Sequence, residues 1–314
     1  MNFPHGATPM DDAIRKAEAL IEALSYIRNF RDRLIVIKLG GSAVEEAAAL
    51  HATLHDIVFM ETVGLRPVVV HGGGNAIDRA MNAAGLRPRK VQGRRFTDHE
   101  TLRIVIDVLT NEINAAIVAD IRELGGRAVG LHPGLQYLFG EPLRLAANGE
   151  TLDLGHVGQV TRVDRTLIEN FCTGGIVPVI PSLATGPDGG WLNINADTAA
   201  AAVAASLQAE KLVLLTDTPG ILRDRHNPDS LLSSLDDESC RDLIATGVID
   251  QGMIPKVEAC LDSLRAGVRK THVIDGRLRH SLLLEIYTDR GIGTEIVLGQ
   301  PAERPQHAVT HAGN

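Results

Sequence analysis

Apolar residues are arranged along this chain in two patterns that alternate. Short, almost continuous runs of Val, Ile and Leu are typical of strands buried on both faces of a sheet. These runs occupy residues 34–39, 66–71, 127–131, 176–181, 211–215, 271–274 and 294–298. Between them apolar residues recur every three or four positions, as in residues 45–63 and 100–124, which predicts helices. The alternation predicts an α/β fold with an open, mainly parallel sheet sandwiched by helices.

An extra helix is predicted before the first strand, over residues 11–30, because Ile14, Leu20 and Leu24 fall on one face. Its apolar face needs another surface, either a second subunit, which we favour, or its own domain. The predicted organisation is an N-terminal extension over 1–30, two lobes and a loose tail. The lobes span 31–185 and 186–299, with a glycine-rich boundary at 184–190, and the tail spans 300–314.

Composition restricts the function classes. The 314 residues carry a net charge of −8 and only 3% aromatics, which argues against a nucleic-acid partner. No apolar run reaches the length of a membrane span, and the N-terminus lacks a signal-peptide pattern. Three cysteines without CxxC spacing favour a reducing cytoplasm and give no zinc signature. His51 and His55 have a metal-ligand spacing but no third ligand, so we expect no metal held by protein ligands.

Two glycine turns follow the first two strands. Lys38 lies near the end of the first strand, before Gly40 and Gly41, and the second strand ends in Gly72–Gly74. Glycines at a strand-to-helix turn let backbone N–H groups approach an anion, and a lysine beside them suggests a phosphate. A snorkelling lysine and tight turns needed only for chain geometry are the alternatives.

The sequence lacks a P-loop, a complete GxGxxG, a protein-kinase motif set and a GxSxG elbow. Asn193, Asn195 and Asp197 cluster at another strand-to-helix junction, where helix capping explains one of the three. Lys256 follows Pro255 at a helix start, where the helix dipole disfavours a cation. A surface lysine is the alternative, but Asp197 is suited to holding lysines in place.

Seven ordered stretches resemble the acetylglutamate kinases, within the amino acid kinase family. They are IVIKLGGSAV, VVVHGGGNAID, VQGRRFTD, LGHVGQVTRVD, NINADTAA, LLTDTPGIL and GMIPKVEA. The first and last helical regions resemble the arginine-inhibited, hexameric branch. The resemblance implies transfer of the γ-phosphoryl group of ATP, with Mg²⁺, to the side-chain carboxylate of N-acetyl-L-glutamate in arginine biosynthesis. Two departures, LHPGLQYL at 131–138 and Arg94 in GRRFT, lie near the substrate lobe.

The resemblance also implies roles for individual residues. Lys38 and Lys256 match the lysines that stabilise the transition state, and Asp197 matches the aspartate that orients them. The implied acyl-substrate residues are Gly73, Gly74, Arg95 and Asn193. The implied phosphate and ATP residues are Gly40, Gly41, Gly72, Asp217, Thr218, Pro219, Gly220, Ile221, Leu222, Val248, Ile249 and Asp250. His272, Glu285 and Gly291 match residues linked to arginine inhibition.

The first lobe would bind the acyl substrate, and the second would hold ATP and arginine. A dimer-based homohexamer is the expected assembly. Two alternatives are a sister kinase of the same fold acting on another acyl acceptor, and a catalytically weak arginine sensor.

Overall fold

The computed structural model describes residues 9–40, 46–91, 93–147, 150–250, 252–288 and 291–299. Gly41, the first eight residues of the predicted N-terminal extension and the predicted loose tail at 300–314 lie outside these residues. Among the described helices, none is both long and apolar enough to cross a lipid bilayer.

The centre of the fold is an eight-stranded sheet in the order β14-β16-β15-β13-β1-β2-β10-β5. Its strands are β1 (Leu34–Leu39), β2 (Arg66–His71), β5 (Ala128–Gly130), β10 (Val177–Pro181), β13 (Lys211–Thr216), β14 (Ser234–Asp236), β15 (Lys270–Asp275) and β16 (Thr294–Val297). Every neighbouring pair is parallel except β15 and β16. The predicted α/β fold with an open, mainly parallel sheet is confirmed, and the sheet is continuous across both predicted lobes.

Helices cover both faces of this sheet. They are α2 (Ala47–Thr62), α3 (Gly74–Ala83), α4 (His99–Asp107), α5 (Ala115–Glu123), α6 (Arg165–Thr173), α7 (Ala196–Leu207), α8 (Asp237–Ala245), α9 (Ile254–Arg265) and α10 (Ser281–Ile286). Along β1, Val36 belongs to the core cluster that includes residues of α6, α7, α8 and α9, whereas Ile35 and Ile37 belong to the cluster on the other face. Burial on both faces explains why β1 is an unbroken apolar run apart from Lys38.

One stretch differs from the sequence-based expectation, and another forms the short strands that its irregular sequence favours. The predicted helix over 100–124 contains a π-helical stretch, Val108–Asn114, between α4 and α5. The irregular segment 132–156 supplies β6 (Leu138–Pro142), which closes a small barrel with β9 (Val157–Val163), β11 (Leu183–Thr185) and β12 (Trp191–Ile194). The barrel depends on strand partners that lie far apart in the chain, which local periodicity does not reveal.

Two hairpins lie outside the eight-stranded sheet and the barrel. The predicted basic hairpin forms from β3 (Lys90–Val91) and β4 (Arg94–Arg95), and a second hairpin pairs β7 (Leu145–Ala147) with β8 (Glu150–Leu152).

The predicted N-terminal helix, α1, spans Pro9–Phe30 and so begins two residues earlier than expected. Near its end Tyr26, Ile27 and Phe30 pack against the core of the same chain. Further toward the N-terminus Leu20 and Ile21 are each 71% exposed. The last part of α1 therefore packs on its own domain, and the earlier part presents apolar side chains to solvent.

Candidate active site

A buried carboxylate joins two lysines beyond the carboxyl end of β1. Lys38 Nζ lies 2.8 Å from Asp197 Oδ1, and Lys256 Nζ donates a hydrogen bond to Oδ2 at 3.0 Å. Asp197 is only 4% exposed and Lys38 6%. The two suspected lysines and the predicted aspartate, separated by more than 200 residues from first to last, thus form one cluster.

Local sequence places each member of this cluster. Asn195 caps α7 by accepting hydrogen bonds from the N–H groups of Asp197 and Thr198. The next turns of α7 are mostly alanine, so the helix lies close to the sheet and brings Asp197 to Lys38. Pro255 is the second residue of α9, and Lys256, in the same first turn, has in Asp197 a counter-charge that the helix dipole does not supply.

The charge state of Asp197 follows from its partners. Burial alone would raise its pKa, but the charges of Lys38 and Lys256 and their hydrogen bonds lower the pKa to about 2. Asp197 is therefore ionised at neutral pH. With one lysine at each oxygen it orients two ammonium groups and is not placed to act as a base or to bind a metal ion.

A cavity of about 270 Å³ opens beside this cluster. Its lining includes Lys38, Gly72, Gly73, Gly74, Asn75, Lys90, Arg94, Arg95, Ser182, Asn193, Asn195 and Asp197. All four acyl-substrate residues implied by the resemblance are in this lining. Ser182 was missed by the sequence analysis, although its place directly after β10 is where ligand-binding side chains of a parallel sheet collect.

Close approach by a backbone atom at Gly40 and by side-chain ends at Gly73 favours glycine at these two turns. A Cβ atom at Gly40 would lie 2.3 Å from the carbonyl oxygen of Leu215 at the end of β13. At Gly73 a Cβ atom would lie 2.5 Å from Ile113 Cδ1. Gly73 precedes the first residue of α3, so the free N–H groups of that helix face the cavity, as an anion site requires.

Arg95 and Asn193 are fixed before any ligand arrives. Arg95 pairs with Asp78 and donates to the carbonyl oxygen of Gly74 at 2.9 Å, which ties the β3–β4 hairpin to the start of α3. Asn193 Nδ2 donates to Thr97 Oγ1 at 3.1 Å. Both side chains are thus held at the cavity by polar contacts.

A buried histidine supports the Gly72–Gly74 turn from below. His71 Nδ1 bonds to the carbonyl oxygen of Gly72 at 3.2 Å, and Nε2 bonds to Asn114 Nδ2 at 3.1 Å. Burial lowers the pKa of His71 to about 4, so the ring is neutral, donates from Nδ1 and accepts at Nε2. Asn114 is the last residue of the π-helical stretch, so this stretch provides the side chain that bonds to His71 beneath the turn.

Of the described residues implied to bind ATP, only Gly72 is in this cavity lining. Residues 217–222 follow β13, the neighbour of β1, and residues 248–250 precede α9. The side chains of Ile221 and Ile249 are buried in the core, so only their backbones are available to a ligand. Asp250 Oδ1 accepts from the N–H groups of Gly252 and Met253 and so positions the start of α9.

The residues that the resemblance associates with arginine inhibition lie in a separate buried cluster. His272 Nδ1 bonds to Glu285 Oε1 at 2.6 Å, and Lys211 Nζ lies 3.2 Å from His272 Nε2. The second Glu285 oxygen accepts from the N–H groups of Ile292 and Gly293, just after Gly291. Burial, followed by the charge of Lys211, lowers the pKa of His272 to about 4. This cluster has no member in the cavity lining.

Within the described part of the chain, no three His, Cys, Asp or Glu side chains come together as a metal site. The three cysteines are buried free thiols.

Comparison with known proteins shows the family. The profile described as "Amino acid kinase family" matches residues 33–275. The chain belongs to the amino acid kinase family. An acetylglutamate kinase of Moorella thermoacetica is 47% identical to this kinase over 291 residues, covering 91% of this chain and 98% of that protein. One from Synechocystis sp. is 45% identical over 289 residues, covering 91% and 95%. The resemblance inferred from the motifs is confirmed.

Solved structures share the fold. N-acetylglutamate synthase from Neisseria gonorrhoeae, complexed with coenzyme A and N-acetyl-glutamate, aligns with a TM-score of 0.80 and 27% identity. The alignment covers 90% of this amino acid kinase but only 64% of that chain. A Giardia carbamate kinase, with a TM-score of 0.59, 16% identity and coverage of 85% and 99%, shares the fold alone.

Removing the charge of Asp197 should destabilise the protein. In Asp197→Asn two buried or half-buried lysines lose their common counter-charge, and we expect the free energy of unfolding to fall by about 3–5 kcal/mol. Asp236→Asn is the matched control, because Asp236 only caps α8 and asparagine caps equally well. Guanidinium denaturation at pH 7.5 measures both. Equal stability of the two variants would contradict the bridging role.

The neutral buried histidines predict a pH dependence of stability. His71 and His272 titrate near pH 4 when folded and near 6.5 when unfolded, so the unfolded chain binds more protons between these values. Their contribution is complete above pH 6.5 and declines toward pH 4 by about 1.4 kcal/mol per pH unit for each histidine. Denaturation from pH 8 to 4.5 should show this slope, which His71→Gln reduces and exposed His51→Gln leaves unchanged. An unaltered slope in His71→Gln would overturn the assignment.

Proposed function

We propose that this kinase transfers the γ-phosphoryl group of ATP to the side-chain carboxylate of N-acetyl-L-glutamate, a step of arginine biosynthesis. The observation that carries the proposal is the Lys38–Asp197–Lys256 cluster beside a cavity lined by Gly72–Gly74 and Asn193. The names of the most similar relatives, all acetylglutamate kinases, support the choice of acceptor.

Phosphoryl transfer to a carboxylate requires cations but no general base. A carboxylate acceptor is already ionised at neutral pH, so no proton has to be removed before it attacks phosphorus. Phosphoryl transfer then requires in-line positioning and stabilisation of negative charge on the transferred group. Lys38 and Lys256 supply two ammonium groups held in place by Asp197, and the N–H groups at the start of α3 supply further donors.

The topology suggests where each substrate binds. The cavity lies toward β2 and β10, and the loops at 217–222 and 248–250 lie toward β13 and α9. Lys38 is on β1, between β2 and β13, paired in register with Val70 and Leu214. We therefore assign the acyl acceptor to the first lobe and ATP to the second, with phosphoryl transfer at Lys38.

ATP would enter as its Mg²⁺ complex. Both oxygens of Asp197 are engaged by lysines, so the phosphates are the better ligands for the ion. Arg95 and Asn193 would hold the acceptor, and Gly73 and Gly74 would let the backbone approach it.

The activity test is ATP turnover with N-acetylglutamate, with the acyl phosphate trapped by hydroxylamine. We expect turnover in the natural protein and a fall in kcat of about 10²–10³-fold in Lys38→Ala, because one preorganised cation is removed. Lys16→Ala, on the exposed part of α1, is the matched control and should keep full activity.

Assays with other acceptors and with arginine distinguish the proposed function from the two alternatives. Turnover with another acetylated amino acid but not with N-acetylglutamate would indicate a sister kinase of the same fold. Binding of arginine without turnover would indicate a sensor. Inhibition of turnover by arginine would support the feedback site that we assign to His272, Glu285 and Gly291. That assignment is favoured by Phe30 of α1, whose ring lies 5.2 Å from Lys211 Nζ in the same cluster.

We further propose that the exposed part of α1 pairs with α1 of a second copy and links dimers into a hexamer. Exposed Leu20 and Ile21 support this contact. Deleting residues 1–28 should reduce the particle to dimers in sedimentation velocity. Leu278→Ser, which changes an exposed leucine outside α1, should leave the assembly intact. Hexamers that persist without residues 1–28 would exclude this role.

A further inference from the structure

An asparagine at the end of the π-helical stretch determines which nitrogen of a buried histidine carries the proton. Asn114 Nδ2 donates to the carbonyl oxygen of Val179 in β10 at 3.0 Å and lies 3.1 Å from His71 Nε2. A carbonyl oxygen only accepts, so the atom beside Val179 is the amide nitrogen, and its two hydrogens serve both partners. A Cβ atom at Gly130 would overlap Asn114 Oδ1, so the amide packs directly on the backbone of β5.

The tautomer of His71 follows from this contact. Burial lowers the pKa of His71 to about 4, so the ring is neutral at pH 7 and has one N–H group. Because Nε2 accepts from Asn114, the proton is on Nδ1, which donates to the carbonyl oxygen of Gly72 at 3.2 Å. A chain of hydrogen bonds therefore runs from β10 through Asn114 and His71 to the first peptide group of the glycine turn.

Two carbonyl groups of the glycine turn are held by protein donors. In a trans peptide the C=O and N–H groups point in opposite directions, and the described peptide bonds are trans. His71 holds the carbonyl oxygen of Gly72 on the buried side, so the N–H group of Gly73 points the other way, where the turn lines the cavity. The carbonyl oxygen of Gly73 accepts from the N–H group of Ile77, which directs the Gly74 N–H group out of the start of α3.

We propose that Asn114 and His71 are positioning residues for phosphoryl transfer, because they keep the Gly72–Gly73 peptide in the orientation that offers the Gly73 N–H group to negative charge in the cavity. The proposal rests on the proposed function, in which charge develops on the transferred group. A peptide between two glycines turns over readily, since no Cβ atom opposes it. The turned peptide would present the carbonyl oxygen of Gly72 to the anion in place of a donor.

The π-helical stretch gains a role from this proposal. Short π-helical turns inside α-helices occur frequently at functional sites. Here the stretch Val108–Asn114 places the last of its residues against His71, so the irregularity serves the orientation of a peptide on another element.

Two substitutions of His71 separate positioning from packing. His71→Leu fills the buried site but has no donor, whereas His71→Asn is smaller and keeps a donor near the position of Nδ1. We expect kcat with ATP and N-acetylglutamate to fall about 10–100-fold in His71→Leu and to stay within about 5-fold in His71→Asn, with KM changing less than kcat. Packing alone predicts the reverse order, because asparagine leaves the larger cavity.

A substitution of Asn114 tests whether this residue acts through His71. Asn114→Leu should lower kcat about 10-fold or more, because the proton on Nδ1 is no longer required by a donor at Nε2. In the His71→Leu background it should change kcat by less than about 2-fold. Asn111→Leu is the matched control, since Asn111 is an exposed residue of the same π-helical stretch and should leave kcat unchanged. Thermal denaturation shows which variants are folded.

Diffraction tests the proposal without turnover. Neutron diffraction from deuterium-exchanged crystals of the natural protein should locate the deuteron of His71 on Nδ1. An X-ray structure of His71→Leu should show the Gly72 carbonyl group turned toward the cavity in some or all of the molecules.

Each outcome decides the matter. A larger loss in His71→Leu than in His71→Asn, with no further loss in the double variant, supports the proposal. Unchanged kcat in His71→Leu, the reverse order, additive losses or a deuteron on Nε2 overturns it, while turnover by the natural enzyme leaves the proposed function intact. If the natural protein does not phosphorylate N-acetylglutamate, the proposed function is wrong and the positioning role fails with it.

Discussion

The ion cluster around Asp197 is the interaction on which the rest of the site depends. One buried carboxylate holds the lysine of the central strand β1 and the lysine at the start of α9, and it lies in the first turn of α7. Burying a lysine is costly without a counter-charge, so the three elements have to meet at this point. The alanine-rich α7 lies close to the sheet, so the end of β1 and the starts of α7 and α9 come together.

The cavity beside the cluster is built from parts that are positioned before a substrate arrives. Gly72–Gly74 is supported by neutral His71 and Asn114, and the basic hairpin is anchored by Arg95 on Asp78 and Gly74. Preorganised donors of this kind stabilise developing charge without reorganising during the reaction.

The regulatory proposals concern a cluster near the start of β13, away from the carboxyl ends of the strands. His272 and Glu285 are buried beside Lys211, which also approaches Phe30 at the end of α1. The end of α1 contacts this cluster, and its beginning exposes apolar residues. α1 therefore connects the proposed assembly surface with the core. This arrangement supplies a physical route between a ligand at the cluster and the contacts of α1, which the proposed hexamer would use.

The sequence by itself determined the α/β alternation, the boundaries of most strands and the glycine turns that follow them. These features are local, because a strand buried on both faces requires a continuous apolar run and a turn is marked by consecutive glycines. The ordered motifs also determined the family. Only the tertiary structure decided that Asp197 lies between Lys38 and Lys256, that Asn114 reaches His71 through a π-helical stretch, and that segment 132–156 helps close a barrel. It also showed that Asp78 pairs with Arg95. These facts depend on partners far apart in the chain, and pairing over such distances is decided by packing and charge compensation rather than by local periodicity.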